Sequence, residues 1–156
     1  MSIPSNVLTN ADLIAYWNLT RGDSKTVLTE KELYQCGVMV KLIDILPATG
    51  SNIYLTDAIA DQNYNGINYK SVPDFLDSSF ANYVEKNQIN NNGTSLKVSN
   101  VSQDYLSMAL RGLWNDAKVN IWMGIVNPAT AGILYAYRMF SGYIDYFSSD
   151  FNNTAG

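Results

Sequence analysis

The sequence predicts an α+β domain, mainly antiparallel β: a barrel or sandwich with one packed helix and short N-terminal helices. Three observations carry this. Apolar residues alternate with polar ones over several short runs, which is the period of strands. One segment, 102–114, repeats its apolar residues every four positions, which is the period of a helix. Finally, the chain holds 11 tyrosines against 5 phenylalanines and only 15% charged residues, a composition suited to strands and to large contact surfaces. At 156 residues and 47% hydrophobic, it is long enough for one domain with a buried core.

The elements follow in chain order. Asn10 or Thr9 can cap a short helix whose apolar positions are Leu13, Ile14, Trp17 and Leu19. Arg21-Gly22-Asp23-Ser24 reads as a turn, and Thr29 with Glu32 three residues later reads as a capping box for a second helix. Val38 to Ile43 is a mostly buried strand. Ile53 to Thr56 and Ile67 to Val72 are further strands, with Asp61-Gln62-Asn63-Tyr64-Asn65-Gly66 between them. Asn65-Gly66 is a strong hairpin-turn signal. Thr94 to Ser99 is another strand, and Ser102 caps the helix that runs to Trp114. Lys118 to Val126 places Val119, Ile121, Met123 and Ile125 on one face. Ile133 to Phe140 and Gly142 to Phe147 form a long aromatic stretch behind the turn at Asn127-Pro128. Residues 1–36 thus form an N-terminal helical or adaptor segment, 37–147 a β domain, and 148–156 a flexible tail.

Composition excludes several function classes. With no histidine and one cysteine, Cys36, the chain lacks the serine–histidine and cysteine–histidine mechanisms, a disulfide framework and a zinc finger. A net charge of −4 argues against binding driven by neutralising phosphates. No apolar run approaches the ~18 residues of a membrane span, so no membrane insertion is expected. Met1 to Thr9 has no secretory signal pattern.

The candidate sites are few. Asp61, Asn63, Asn65 and Gly66 match the first half of a calcium loop, but Val72 stands where its bidentate carboxylate belongs, so a hairpin is the better reading. Asp57, Asp61, Asp74 and Asp77 are loop acids without an evident apolar pocket. They belong to a segment, Leu42 to Glu85, with six acids and one lysine. Arg21-Gly22-Asp23 matches an integrin-binding tripeptide, yet three residues carry little specificity. Tyr64, Tyr69, Tyr135, Tyr137, Tyr143 and Tyr146 with Trp122 suit a sugar platform, while the alternating Tyr135, Tyr137 and Tyr143, again with Trp122, equally suit a sheet face packed on a neighbour, which is the favoured reading.

Taken together, Ile53-Tyr54-Leu55-Thr56-Asp57, then Asn65-Gly66-Ile67-Asn68-Tyr69, then Leu96 to Asp104 with Asn100-Val101, Leu110-Arg111-Gly112-Leu113, Lys118-Val119-Asn120-Ile121 and Ser141-Gly142-Tyr143-Ile144-Asp145, resemble the tail-tip or baseplate hub proteins of long-tailed bacteriophages, the lambda minor tail protein L group. The resemblance spans about Val38 to Phe147. It implies a tail-tube-like β-barrel flanked by a helix, forming a ring of three or six copies that continues the tail tube. The implied partners are the distal tail ring and the central fibre or spike, with DNA only in passage. The implied location is the virion, after synthesis in the bacterial cytoplasm. The group also carries a cysteine-rich part that binds an iron–sulfur cluster, and Cys36 alone cannot supply those ligands.

The expected function is therefore structural and non-enzymatic, without a cofactor: a phage tail-tip ring subunit. Trp122, Tyr135, Tyr137 and Tyr143 are its expected subunit interface, and Asp57, Asp61, Asp74 and Asp77 its expected lumen-facing acids. The alternative is a carbohydrate- or receptor-binding β module that takes calcium through Asp61, Asn63 and Asn65.

Overall fold

The computed structural model describes residues 2–72 and 111–145. Three short helices come first: α1 (Ser5–Leu8), α2 (Ala11–Arg21) and α3 (Glu30–Gln35). Six strands follow: β1 (Met39–Leu46), β2 (Ile53–Thr56), β3 (Gln62–Tyr64), β4 (Ile67–Ser71), β5 (Lys118–Val126) and β6 (Ile133–Tyr143). They form one sheet in the order β3-β4-β2-β1-β5-β6. The architecture is α+β, with the sheet curled into a half-barrel.

Local chemistry sets the helix ends. The Asn10 side chain accepts hydrogen bonds from the Asp12 and Leu13 amides, both at 3.1 Å, and so satisfies two donors that a helix start leaves open. Gly22, at φ +66°, ends α2 in a left-handed conformation that a side chain would strain. The Thr29–Glu32 capping box at α3 is complete in both directions. Within the Arg21-Gly22-Asp23 turn, the Arg21 guanidinium lies 5.4 Å from the Trp17 ring centre and donates to the Gln35 carbonyl. Asp23 accepts from the Trp17 indole N–H at 3.3 Å. The tripeptide thus serves contacts within its own chain.

The sheet differs from an antiparallel expectation at one joint. β1 pairs antiparallel with β2 and β5, and β5 with β6, but β2 and β4 run parallel through Leu55↔Lys70 and Thr56↔Ser71. The sheet is therefore mixed. The hairpin expected at Asn65-Gly66 is present, and the stretch 62–64 that leads into it is a strand paired antiparallel with β4. Two register shifts in the β5–β6 ladder add local twist.

One face of the sheet is dry. Ile43, Ile45, Ile53, Leu55, Val119 and Ile121 are buried there with Trp114 and Ala117. At the other end of the same face, Ile125 joins Leu13, Trp17, Leu28 and Leu33 from the helical layer, with Val38, Met39, Tyr135 and Tyr137 against them. Residues of the N-terminal segment, from Ile3 to Cys36, therefore share a core with this sheet. Burying each such aliphatic side chain contributes roughly 1.5–3 kcal/mol before chain entropy is counted. Leu19, expected on the apolar stripe of α2, instead points away and is 85% exposed. The strand expected at 94–99 and most of the helix expected at 102–114 lie outside the described residues; 111–116 are turns.

The opposite face is the inside of the curl. Leu42, Tyr69 and Ala136 are buried there, with Val40, Tyr54, Tyr64, Ile67, Trp122 and Ile133 packed around them. The curl brings the first strand of the sheet near the last: the Ala136 amide on β6 donates to the Tyr64 hydroxyl on β3 at 3.2 Å. Gly124 lies on this inner face. A Cβ there would meet a Val40 methyl at 3.3 Å and an Ile133 methyl at 3.5 Å, so the absence of a side chain lets these strands pack closely.

Candidate functional site

The most concentrated polar chemistry lies on the inner face. Alternation along β1 points Val40, Leu42 and Asp44 inward, among otherwise apolar neighbours. Asp44 is 6% exposed. A carboxylate this buried is costly unless donors surround it. Three do. The Tyr69 hydroxyl donates to Oδ1 at 2.9 Å, while the Asn120 amide and the Trp122 indole N–H donate to Oδ2 at 3.2 and 2.8 Å.

The strand register explains the convergence. Asn120 sits directly opposite Asp44 across the β1–β5 ladder, and Trp122 lies two residues further on the same face. Tyr69 comes from β4, on the far side of β2, and reaches Asp44 because the sheet curls. A second layer supports the first. Ser141 Oγ donates to Asn120 Oδ1 at 2.9 Å, the Arg138 guanidinium lies 5.9 Å from the Trp122 ring centre, and the Tyr54 ring meets Tyr69 edge-on at 5.6 Å. The cluster thereby joins β1, β2, β4, β5 and β6.

Its chemistry is that of a fastener. Burial, followed by the neighbouring Asp44 charge, holds the Tyr69 phenol well above its ordinary titration range, so Tyr69 stays a donor. Both Asp44 oxygens are already engaged. Among the described residues, no group of three or more acids or cysteines is placed to hold a metal ion.

The residues singled out from sequence fall in separate places. Asn65 and Gly66 form the two-residue turn between β3 and β4, at φ +50° and +78°, the left-handed pair that such a hairpin requires. Asp61 accepts from the Ser71 amide and the Lys70 ammonium, both at 2.8 Å. Those two bonds hold its carboxyl below the usual carboxylate range, the Lys70 bond most strongly. Asn63 lies in an extended, paired strand, so Asp61, Asn63 and Asn65 do not wrap around a common point as a calcium loop would. Asp57 accepts from the Lys41 amide at 2.6 Å, which binds the β2 exit to β1. Asp74 and Asp77 lie outside the described residues.

The aromatic residues expected at a subunit interface also divide. Trp122 is turned inward to Asp44. Tyr135 and Tyr137 lie against the chain's own helical layer, Tyr137 meeting Tyr34 edge-on at 6.5 Å. Tyr143 is 69% exposed. The alternation of Tyr135 and Tyr137 thus describes a face packed against helices of the same chain.

Read from sequence, Asp44 is only one of several acids, Tyr69 only one of several tyrosines that suit a sugar platform, and Asn120 and Ser141 have no role in a polar site. A signal was there: an acid in the middle of the apolar run 38–46 must find donors when that strand is buried. Asn120 and Trp122, spaced two apart in β5, are donors that such a strand would face.

Away from this cluster, a shallow apolar depression lies between α2 and the β5–β6 turn, lined by Asp12, Ala15, Tyr16, Leu19, Pro128 and Ala129. Asn127 fixes its rim. Its side chain accepts from the Ala129 and Thr130 amides and donates to Asp12 Oδ2 at 2.7 Å. No protein-family model and no curated protein matches the sequence.

Proposed function

We propose that this chain is a structural, non-enzymatic subunit of a phage tail tip, forming a ring of three or six copies that extends the tail tube toward the distal fibre or spike. One observation carries the reading: a sheet curled through only half a barrel, with its described helices against the outer face. A half-barrel of this kind is suited to completion by copies of itself through heterologous contacts. The sparse charge supports the same reading, since few unpaired charges would need burial at such contacts. So does the main polar cluster, whose carboxylate and phenol are engaged with each other. In this reading the tail-tube-like barrel is a property of the ring. Tyr143 and Met139, exposed near the end of β6, become the contact candidates in place of Trp122, Tyr135 and Tyr137. Asp57 and Asp61 are the described candidates for the bore, although Lys70 offsets the charge of Asp61.

Electron microscopy and light scattering on the purified full chain, alone and mixed with the adjoining tail proteins, test the proposal. Closed rings of three or six copies support it. A monomer at every concentration that also fails to join tail tips would refute it.

A further inference from the structure

The β3–β4 hairpin is attached to the rest of the molecule unevenly. On one side, β4 joins β2 through the two parallel pairs at Leu55 and Thr56, extended by the Val72 amide donating to the Thr56 carbonyl at 2.8 Å. Parallel pairing of this length is a narrow joint. Asp61, Lys70 and Ser71 brace that joint from within, with Ser71 Oγ donating to the Ala58 carbonyl at 2.6 Å. On the other side, the described bonds that hold the hairpin down are made by two phenol hydroxyls. Tyr69 donates to Asp44, and Tyr64 accepts from the Ala136 amide of β6. Beneath the hairpin lie Val40, Leu42, Trp122 and Ile133.

We propose that residues 61–71 are a strap across the inside of the half-barrel, held on one side by the narrow β2–β4 joint and latched on the other by the Tyr64 and Tyr69 hydroxyls, and that both attachments break together as the strap opens as one unit to uncover the trough formed by Val40, Leu42, Trp122 and Ile133. Sub-global opening of this kind takes the segment with the fewest backbone pairs first. Here that is a two-stranded hairpin on a two-pair joint, while β1, β5 and β6 are bound by long ladders. These bonds define the strap whether or not the chain belongs to a tail tip.

Native-state amide hydrogen exchange on the full chain tests it. In Tyr64→Phe the Ala136 amide loses its acceptor and must exchange faster on any account. The Val72 amide, on the opposite side of the hairpin, separates the possibilities. A strap that opens as a unit makes Val72 exchange about tenfold faster too, the loss of one net hydrogen bond, with the β1–β5 amides unchanged. Tyr69→Phe accelerates the same Val72 amide by a similar factor, and it keeps the test open if the first variant fails to fold. Acceleration confined to Ala136, or spread equally through the β1–β5 ladder, overturns the proposal. So does a Val72 amide that neither variant changes.

Discussion

The two faces of one sheet are built by different physics. The outer face is held by area: Ile43, Ile45, Ile53, Leu55, Val119 and Ile121 are buried against Trp114 and Ala117, and Ile125 against the helices. The inner face is held by direction: one buried carboxylate, three donors and a ring of aromatic residues. Apolar packing is non-directional and tolerates repacking. Hydrogen bonds to a buried charge specify angle and distance. The outer face therefore supplies stability, and the inner face fixes how far the sheet curls.

Truncating each face shows the contrast. Ile121→Ala, in the middle of the outer face, should cost about 2–5 kcal/mol in urea unfolding, because it removes buried methyl groups and leaves a cavity. Asp44→Asn nearly preserves shape but replaces one acceptor oxygen with a donor. It should cost about 1–3 kcal/mol and leave one of Asn120, Trp122 or Tyr69 unsatisfied. A near-neutral Asp44→Asn would mean that the cluster does not constrain the sheet.

The helical layer gives smaller effects. Thr29→Ala removes the N-cap of α3 and should cost about 1 kcal/mol in the same assay. Glu32, on the other side of that capping box, is held down to about 2 by the Lys25 ammonium first and then by the Thr29 amide. Its folded-state titration lies below its ordinary value near 4.5. The unfolded chain therefore binds more protons in between, and stability is present in full above that ordinary value and lost as pH falls toward 2. Melting temperature followed from pH 5 downward should drop less steeply in Glu32→Gln than in the parent chain. Parallel curves would contradict the pairing.

The same contrast decides what can be read from sequence. The outer face is legible because alternation is local: β2 and β5 have the bounds that their patterns suggest, and Asn10, Thr29 and Glu32 cap helices within three residues of themselves. The inner face is written in long-range terms. Asp44 meets Tyr69 at a separation of 25 residues and Trp122 at 78, and nothing in either neighbourhood names the other. The parallel joining of β2 to β4 was hidden likewise, since a hairpin-like sequence order suggests antiparallel neighbours. Tyr135 and Tyr137 alternate correctly, yet alternation does not say whether helices of the same chain or a neighbour will cover them.

Asp44 and Tyr69 act together to set the curl of the sheet. A double-mutant cycle of Asp44→Asn and Tyr69→Phe, read by urea unfolding, measures that coupling directly. The expected interaction energy between the two sites is about 1 kcal/mol or more, with the double variant losing less than the sum of the singles. Additive losses would contradict it.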